Sequence, residues 1–277
     1  MTPPPPPRIP DPDDPTSLGT LDEEQRRVSA AIRIRFDEAG PSGIARPSTL
    51  LRHAADLAWI HSERLGFGRA WYADRGLLWL VRGVELRVLG PIRDGDALTG
   101  TTEVVAVRRV LARRRIDFHA ASGDLVAVAL VDYALILASG QPTRIPAYFG
   151  MAFAVEDETF EPTRVRIAAP PGAFRLSLAV RPQELDPMAH VNNAVYLDWV
   201  EEAILAAGDP DPATASGPTA APGPTVVPRR YRLEYLAAAG PGQRVDVTAW
   251  RSDEGGWACR IADAATGAAI LGALVEP

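Results

Sequence analysis

Asp186-Pro187-Met188-Ala189-His190-Val191-Asn192-Asn193 runs directly into Ala194-Val195-Tyr196-Leu197-Asp198-Trp199-Val200-Glu201-Glu202-Ala203-Ile204, and this stretch decides how the chain folds. The second part is apolar around most of a helical circumference, so a helix over 193–207 has to be buried on nearly every side. The first part sets a carboxylate, an imidazole and two amides at the entrance to that helix. Unsatisfied N–H groups and the positive end of the macrodipole make such an entrance suited to stabilising an oxyanion, the charge that develops in acyl transfer.

Working outward, the approach to the helix occurs twice. Arg35-Phe36-Asp37-Glu38-Ala39-Gly40-Pro41 can be laid over Arg181-Pro182-Gln183-Glu184-Leu185-Asp186-Pro187 at an offset of 146 (181 minus 35), matching the Arg, the Glu and the Pro. The same offset places Ser48-Thr49-Leu50-Leu51 over Ala194-Val195-Tyr196-Leu197, and a helix over 47–66 follows in the first copy. Each helix leads into four β-rich segments divided by Gly/Asp turns. They are Leu77–Leu89, Ala97–Val107, Arg113–Ala121 and Asp124–Leu137, then Val226–Leu236, Gln243–Arg251, Gly256–Asp263 and Ala268–Val275. Each half therefore reads as strand, long helix, then four antiparallel strands. A curved sheet wrapped around the helix would bury it, which is the hotdog arrangement. The expected fold is α+β, a tandem (double) hotdog, with residues 1–20 a disordered Pro-rich tail, 21–150 the N-terminal unit and 151–277 the C-terminal unit. The alternative is two unrelated α+β domains whose match is chance. Asp209–Pro224, alternating Pro, Ala, Gly, Thr and Asp, reads as a flexible loop.

Composition narrows the class. The chain has 277 residues, 47% of them hydrophobic, enough for a substantial core. A net charge of −6 argues against bulk nucleic-acid binding. Every one of the 29 basic residues is Arg, which excludes lysine Schiff-base chemistry. The lone Cys259 forms no internal disulfide, and the N-terminus has neither the charged nor the apolar segment of a secretory signal. The longest apolar run, Leu125–Ala138, is broken by Asp132 and is too short to span a bilayer. A cytoplasmic protein free of membrane contact is the expectation.

His190-Val191-Asn192-Asn193, with Tyr196 three further on and Asp186 before it, resembles the hotdog thioesterases that hydrolyse acyl-CoA or acyl-carrier-protein (acyl-ACP) thioesters. The duplicated layout and Leu233-Glu234-Tyr235 resemble more narrowly the acyl-ACP thioesterases of plants and bacteria. The plant-type pattern is Asp-x-Asn-x-His. Asp186 and His190 match its ends, while Met188 stands in place of the Asn. The family's Glu-Cys pair after the Leu-Glu-Tyr strand is replaced by Ala238-Ala239. In the first half the His190 position falls on Ile44, and the two Asn on Arg46 and Pro47, leaving the chemistry to the second half.

The resemblance implies hydrolysis of a fatty acyl-ACP or acyl-CoA to free acid and thiol without a cofactor or metal. Asp186 is the candidate general base or nucleophile, and His190 would orient water or polarise the carbonyl. Asn192 joins the catalytic candidates, with Glu201 and Glu234 as spare carboxylates. Asn193, Tyr196 and Trp199 are candidates for substrate binding. Asp186 could instead only open a turn before Pro187, and Asn193 could simply be an N-cap. Two other functions share this architecture: an acyl-binding protein without catalysis, and an acyl-thioester hydratase or dehydratase.

The remaining signals are weaker. His53 and His61 stand eight apart on a helix, too far to share a metal. Arg108-Arg109 and Arg113-Arg114-Arg115 lie across a predicted hairpin. They could meet an acidic carrier or coenzyme A phosphates, or form a solvated strand face. Association of two chains into a homodimer is compatible with this layout.

Overall fold

The computed structural model describes residue 21 and residues 23–146, 160–208, 227–253 and 255–277. The expected tail at 1–20, the loop at 209–224 and the boundary at 150/151 lie outside the described residues. A short helix α1 (Glu23–Arg26) precedes strand β1 (Arg27–Arg33), the long helix α2 (Pro47–Arg64) and a one-turn helix α3 (Arg69–Asp74). Strands β2 (Leu77–Val88), β3 (Ala97–Arg108), β4 (Leu111–Ala120) and β5 (Leu125–Leu137) complete the first half. The second half comprises β6 (Phe174–Ala179), helix α4 (Asn193–Ala206), β7 (Arg229–Tyr235), β8 (Arg244–Arg251), β9 (Trp257–Asp263) and β10 (Ala269–Glu276). The short helices α1 and α3 add to the elements expected from the sequence, and both are too short to show a helical period.

The ten strands among the described residues join one antiparallel sheet in the order β1-β3-β4-β5-β2-β7-β10-β9-β8-β6. Read from either edge toward the middle, the two halves have the same order. They meet where β2 pairs with β7, Gly83 opposite Glu234 and Leu86 opposite Tyr231. The duplication extends to single contacts. Arg35 and Arg181 each precede a 3₁₀ turn, Phe36–Glu38 and Pro182–Glu184, whose Glu accepts a bond from that Arg's backbone N–H. The bridges Ala39–Ala45 and Leu185–Val191 sit at the same offset.

Both long helices lie on one face of the sheet and pack on each other. Arg52 on α2 donates to Asp198 on α4 at 2.7 Å, joining residues separated by the repeat offset of 146. The apolar circumference of α4 is buried as expected: Tyr196, Leu197, Trp199, Val200, Ala203 and Ile204 are each at most 1% exposed. Burying side chains of that size stabilises the fold by roughly 2 kcal/mol apiece, so α4 is central to the core. One hydrophobic cluster runs through both halves, from Ile34, Leu57 and Phe118 to Tyr196, Leu233 and Val247.

Residues 163–165, described between the halves, lie across the opposite face. Strand alternation turns Leu233 and Tyr235 toward α4 and Glu234 away from it. Glu234 accepts bonds from Arg164 Nη1 at 2.6 Å and the Val165 N–H at 2.8 Å. Asp132 accepts the Thr163 N–H at 2.7 Å while held by the fork of Arg113 at 2.6 and 2.9 Å. A Cβ on Gly83 would stand 2.7 Å from Thr163 Cβ, so the bare backbone of β2 is what lets this segment lie across the seam. No helix among the described residues is long and apolar enough to cross a membrane.

Candidate active site

The repeat motif builds the approach to α4 as a tight loop. Asp186 N–H donates to His190 O at 2.8 Å, and Ala189 N–H donates to Asp186 O at 2.9 Å. In the first half Gly40, Gly43 and Ile44 make the same two bonds, without a carboxylate. Ala189 has φ +59°, where its counterpart Gly43 has φ +71°. A left-handed alanine costs about 1 kcal/mol or more, a strain held at the one copy of the loop that carries Asp, His and Asn.

Asp186 Oδ1 accepts the Met188 N–H at 2.8 Å and, at 3.4 Å, the His190 N–H. Oδ2 has no bond among the described residues. Asn192, not Asn193, is the N-cap: its Oδ1 accepts the Ala194 N–H at 3.0 Å. Val195 N–H is taken by Asn192 O. The Asn193 N–H is left without a partner among the described residues, an available donor at the positive end of a helix.

These groups face a cavity of about 580 Å³ that belongs mostly to the other half. Ala55, Ala58, Trp59 and Leu65 of α2 and the following turn form one wall, and Leu77, Trp79, Val81, Val104 and Ala112 of the sheet form another. Asp186, Pro187, Met188, Asn192 and Asn193 come from the second half. Among the described residues, Asp186 is the only carboxylate lining this space. The structure thus brings Asp186, Asn192 and Asn193 together at an apolar cavity, with His190 exposed beside them and outside its lining.

The other candidates from the sequence go elsewhere. Tyr196 and Trp199 are core residues, outside the cavity lining. Tyr196 Oη accepts the Ala239 N–H at 2.8 Å, and Trp199 Nε1 donates to Glu184 at 3.1 Å. Burial raises the Tyr196 phenol's pKa, and the nearby Asp186 charge adds to the rise. Glu201 accepts the Tyr231 hydroxyl at 2.9 Å, away from the cavity, and burial raises its pKa to about 8. Glu234 holds the inter-half connection on the far face. Glu201 is thus paired structurally in its buried helix, and the strand period places Glu234 on the face opposite the helices.

The arginine run expected to form one surface is divided by β4. Arg113 and Arg115 pair with Asp132 and Asp117, whereas Arg114 points inward with Ala112, Ile116 and Phe118. Arg114 lines the cavity. The signal that could have found it is the alternation itself, Ala112-x-Arg114-x-Ile116-x-Phe118, a cation in an apolar row. Among the described residues, no group of three or more His, Cys, Asp or Glu side chains could hold a metal.

Residues 26–140 match the model of the acyl-ACP thioesterase N-terminal domain, and residues 180–264 match that of the thioesterase-like superfamily. An acyl-ACP thioesterase from Bacteroides thetaiotaomicron superposes with a TM-score of 0.73 at 15% identity, covering 92% of this chain and 99% of that one. The 12:0-ACP thioesterase from Umbellularia californica gives a TM-score of 0.71 at 21% identity, covering 90% and 96%. At these identities the two structures show a shared fold, a large curved antiparallel sheet of the hotdog thioesterase kind. No curated protein sequence matches the chain.

Proposed function

We propose hydrolysis of acyl thioesters at the cavity beside α4, in a chain whose residues 26–140 match the acyl-ACP thioesterase N-terminal domain and whose residues 180–264 match the thioesterase-like superfamily. The observation that carries this reading is the composition of the cavity wall: mostly apolar side chains from the first half, and one carboxylate, Asp186, from the second. On this reading the two halves are hotdog units, residues 21–150 and 151–277, working as one site. The first unit shelters the acyl chain, and the second presents the chemistry.

The thioester carbonyl sits at the start of α4, where the Asn193 N–H donates to the oxygen. Asp186 accepts a proton as water attacks the carbonyl carbon. Collapse of the tetrahedral intermediate breaks the C–S bond, and the proton passes to the departing sulfur, leaving acid and thiol. The donor is preorganised because the Asn192 cap fixes the first turn, so no reorganisation is needed as charge develops. His190, exposed on the rim, lies where the carrier arm enters. The family's Glu-Cys place is occupied by Ala238 and buried Ala239, so the carboxylate work falls to Asp186. The acyl-ACP model match favours the carrier protein over coenzyme A.

Free-thiol release across acyl-ACP and acyl-CoA substrates of graded chain length tests this. Asp186→Asn should lower kcat/KM about 10²-fold or more, and His190→Ala should lower it less. Absence of turnover on every substrate, or an Asp186→Asn enzyme as active as the parent, overturns the proposal.

A further inference from the structure

The part of the cavity wall contributed by the first half is largely apolar, and besides the exposed Arg69 it holds one buried cation. Arg114 is 9% exposed, and its guanidinium lies inside the first half. Its Nη1 bonds to His61 Nδ1 at 2.8 Å, and Nη2 donates to Ser62 Oγ at 3.4 Å. His61 is fully buried, and burial lowers its pKa to about 4, so it is neutral. It accepts from Arg114 at Nδ1 and donates from Nε2 to Gln25 O at 2.8 Å. Both partners of Arg114 are therefore uncharged, and it forms no ion pair among the described residues. Its β4 neighbours Arg113 and Arg115 show what it lacks, since each pairs with an Asp.

A buried cation without an anion is costly, and the cost is recovered only when an anion or strong acceptor arrives. The surroundings point to where that acceptor would sit. Tyr133, opposite Ala112 on the neighbouring strand, and Ser62 line the same space as Arg114. Tyr72 Oη lies there too, accepting from Trp79 Nε1 at 2.9 Å. Along α2, Ser62 is about two turns, or roughly 10 Å, beyond Ala55. A hydrocarbon alone would cover this cluster without satisfying it.

We propose that the cavity receives an acyl chain bearing an oxygen function at its distal end, with a carboxylate as the best complement, and that Arg114 is the residue selecting it. This rests on the hydrolase reading for the thioester end and adds the class of acyl group. The Arg114 guanidinium meets the distal carboxylate, and Ser62 and Tyr133 hydroxyls complete its hydrogen bonds. Plain chains leave the guanidinium unpaired and bind less well.

Two readouts test it. The full-length protein is titrated calorimetrically with free saturated monocarboxylic acids and the α,ω-dicarboxylic acids of equal length. Thiol release is then measured on plain, ω-hydroxy and ω-carboxy acyl-CoA thioesters of matched lengths. The ω-carboxy members should win by roughly tenfold to a hundredfold, the range of a hydrogen bond to a charged group, with ω-hydroxy between. Arg114→Met should reverse the order in favour of plain chains, and Tyr133→Phe should narrow it if the Met variant does not fold. Equal or better handling of plain chains by the parent protein overturns the proposal, as does an order unchanged in the variants. Dicarboxylic-acid selectivity without hydrolysis of any thioester would support this inference while the hydrolase reading falls. Hydrolysis without selectivity would do the reverse.

Discussion

Two buried titratable side chains pull the stability of this protein in opposite directions with pH. His61 has a folded pKa of about 4 against an ordinary 6.5, so its contribution is complete above 6.5 and is lost as pH falls toward 4. The loss approaches about 3 kcal/mol. Glu201 has a folded pKa of about 8 against 4.5 because burial penalises its charge, so the fold holds a proton that the unfolded chain releases. Its contribution is complete below 4.5 and is lost as pH rises through 8, on the order of 5 kcal/mol at the upper end. Urea midpoints should therefore peak between about pH 4.5 and 6.5. Glu201→Gln should remove the decline on the alkaline side while keeping an acceptor for the Tyr231 hydroxyl. An unchanged alkaline slope would show that Glu201 is not the group responsible. Neither role was legible from residue type. Sequence marks Glu201 as a charge on a buried helix and His61 as a spare imidazole, but their partners, Tyr231 and Arg114, come from strands distant in the chain.

At the scale of elements the sequence was far more informative. The apolar period and the helix entrance predicted α4 over 193–207, against the observed Asn193–Ala206. The repeat offset carried the same start to Pro47. What the linear pattern did not separate was which Asn closes the helix. Either amide can cap, and the choice falls on Asn192 because the loop bond from its N–H to Glu184 O leaves its side chain facing Ala194 N–H. Asn192→Ala should cost about 1 kcal/mol of stability and, by loosening the turn that aims the Asn193 N–H, lower kcat/KM about tenfold. Asn192→Ser keeps a capping oxygen and should restore both. Recovery of stability without recovery of activity would instead mean that the Asn192 amide itself touches the substrate.

Across the whole molecule, cavity and carboxylate come from different halves, so the site exists only while the seam between β2 and β7 holds. The core passes through that seam on the helical face, and the connecting segment ties it on the other through Asp132 and Glu234. In sequence Asp132 showed only as the charge breaking an apolar run, and Glu234 as a spare acid. A segment without regular structure has no period to announce where it will dock, so its anchors become visible only when the strands are assembled. Glu234→Gln retains an acceptor for the Val165 N–H but loses the charge facing Arg164. It should cost roughly 1–3 kcal/mol and leave kcat/KM near that of the parent, since its side chain is outside the cavity. Asp132→Ala removes both a buried ion-pair partner and the Thr163 bond, and should cost about 3–5 kcal/mol. Calorimetry should still show one cooperative transition in each variant, because both halves share a core and a sheet. A second, separate transition in Asp132→Ala would mean that the halves are stable independently. A catalytic loss in Glu234→Gln without a loss of stability would return that residue to the chemistry.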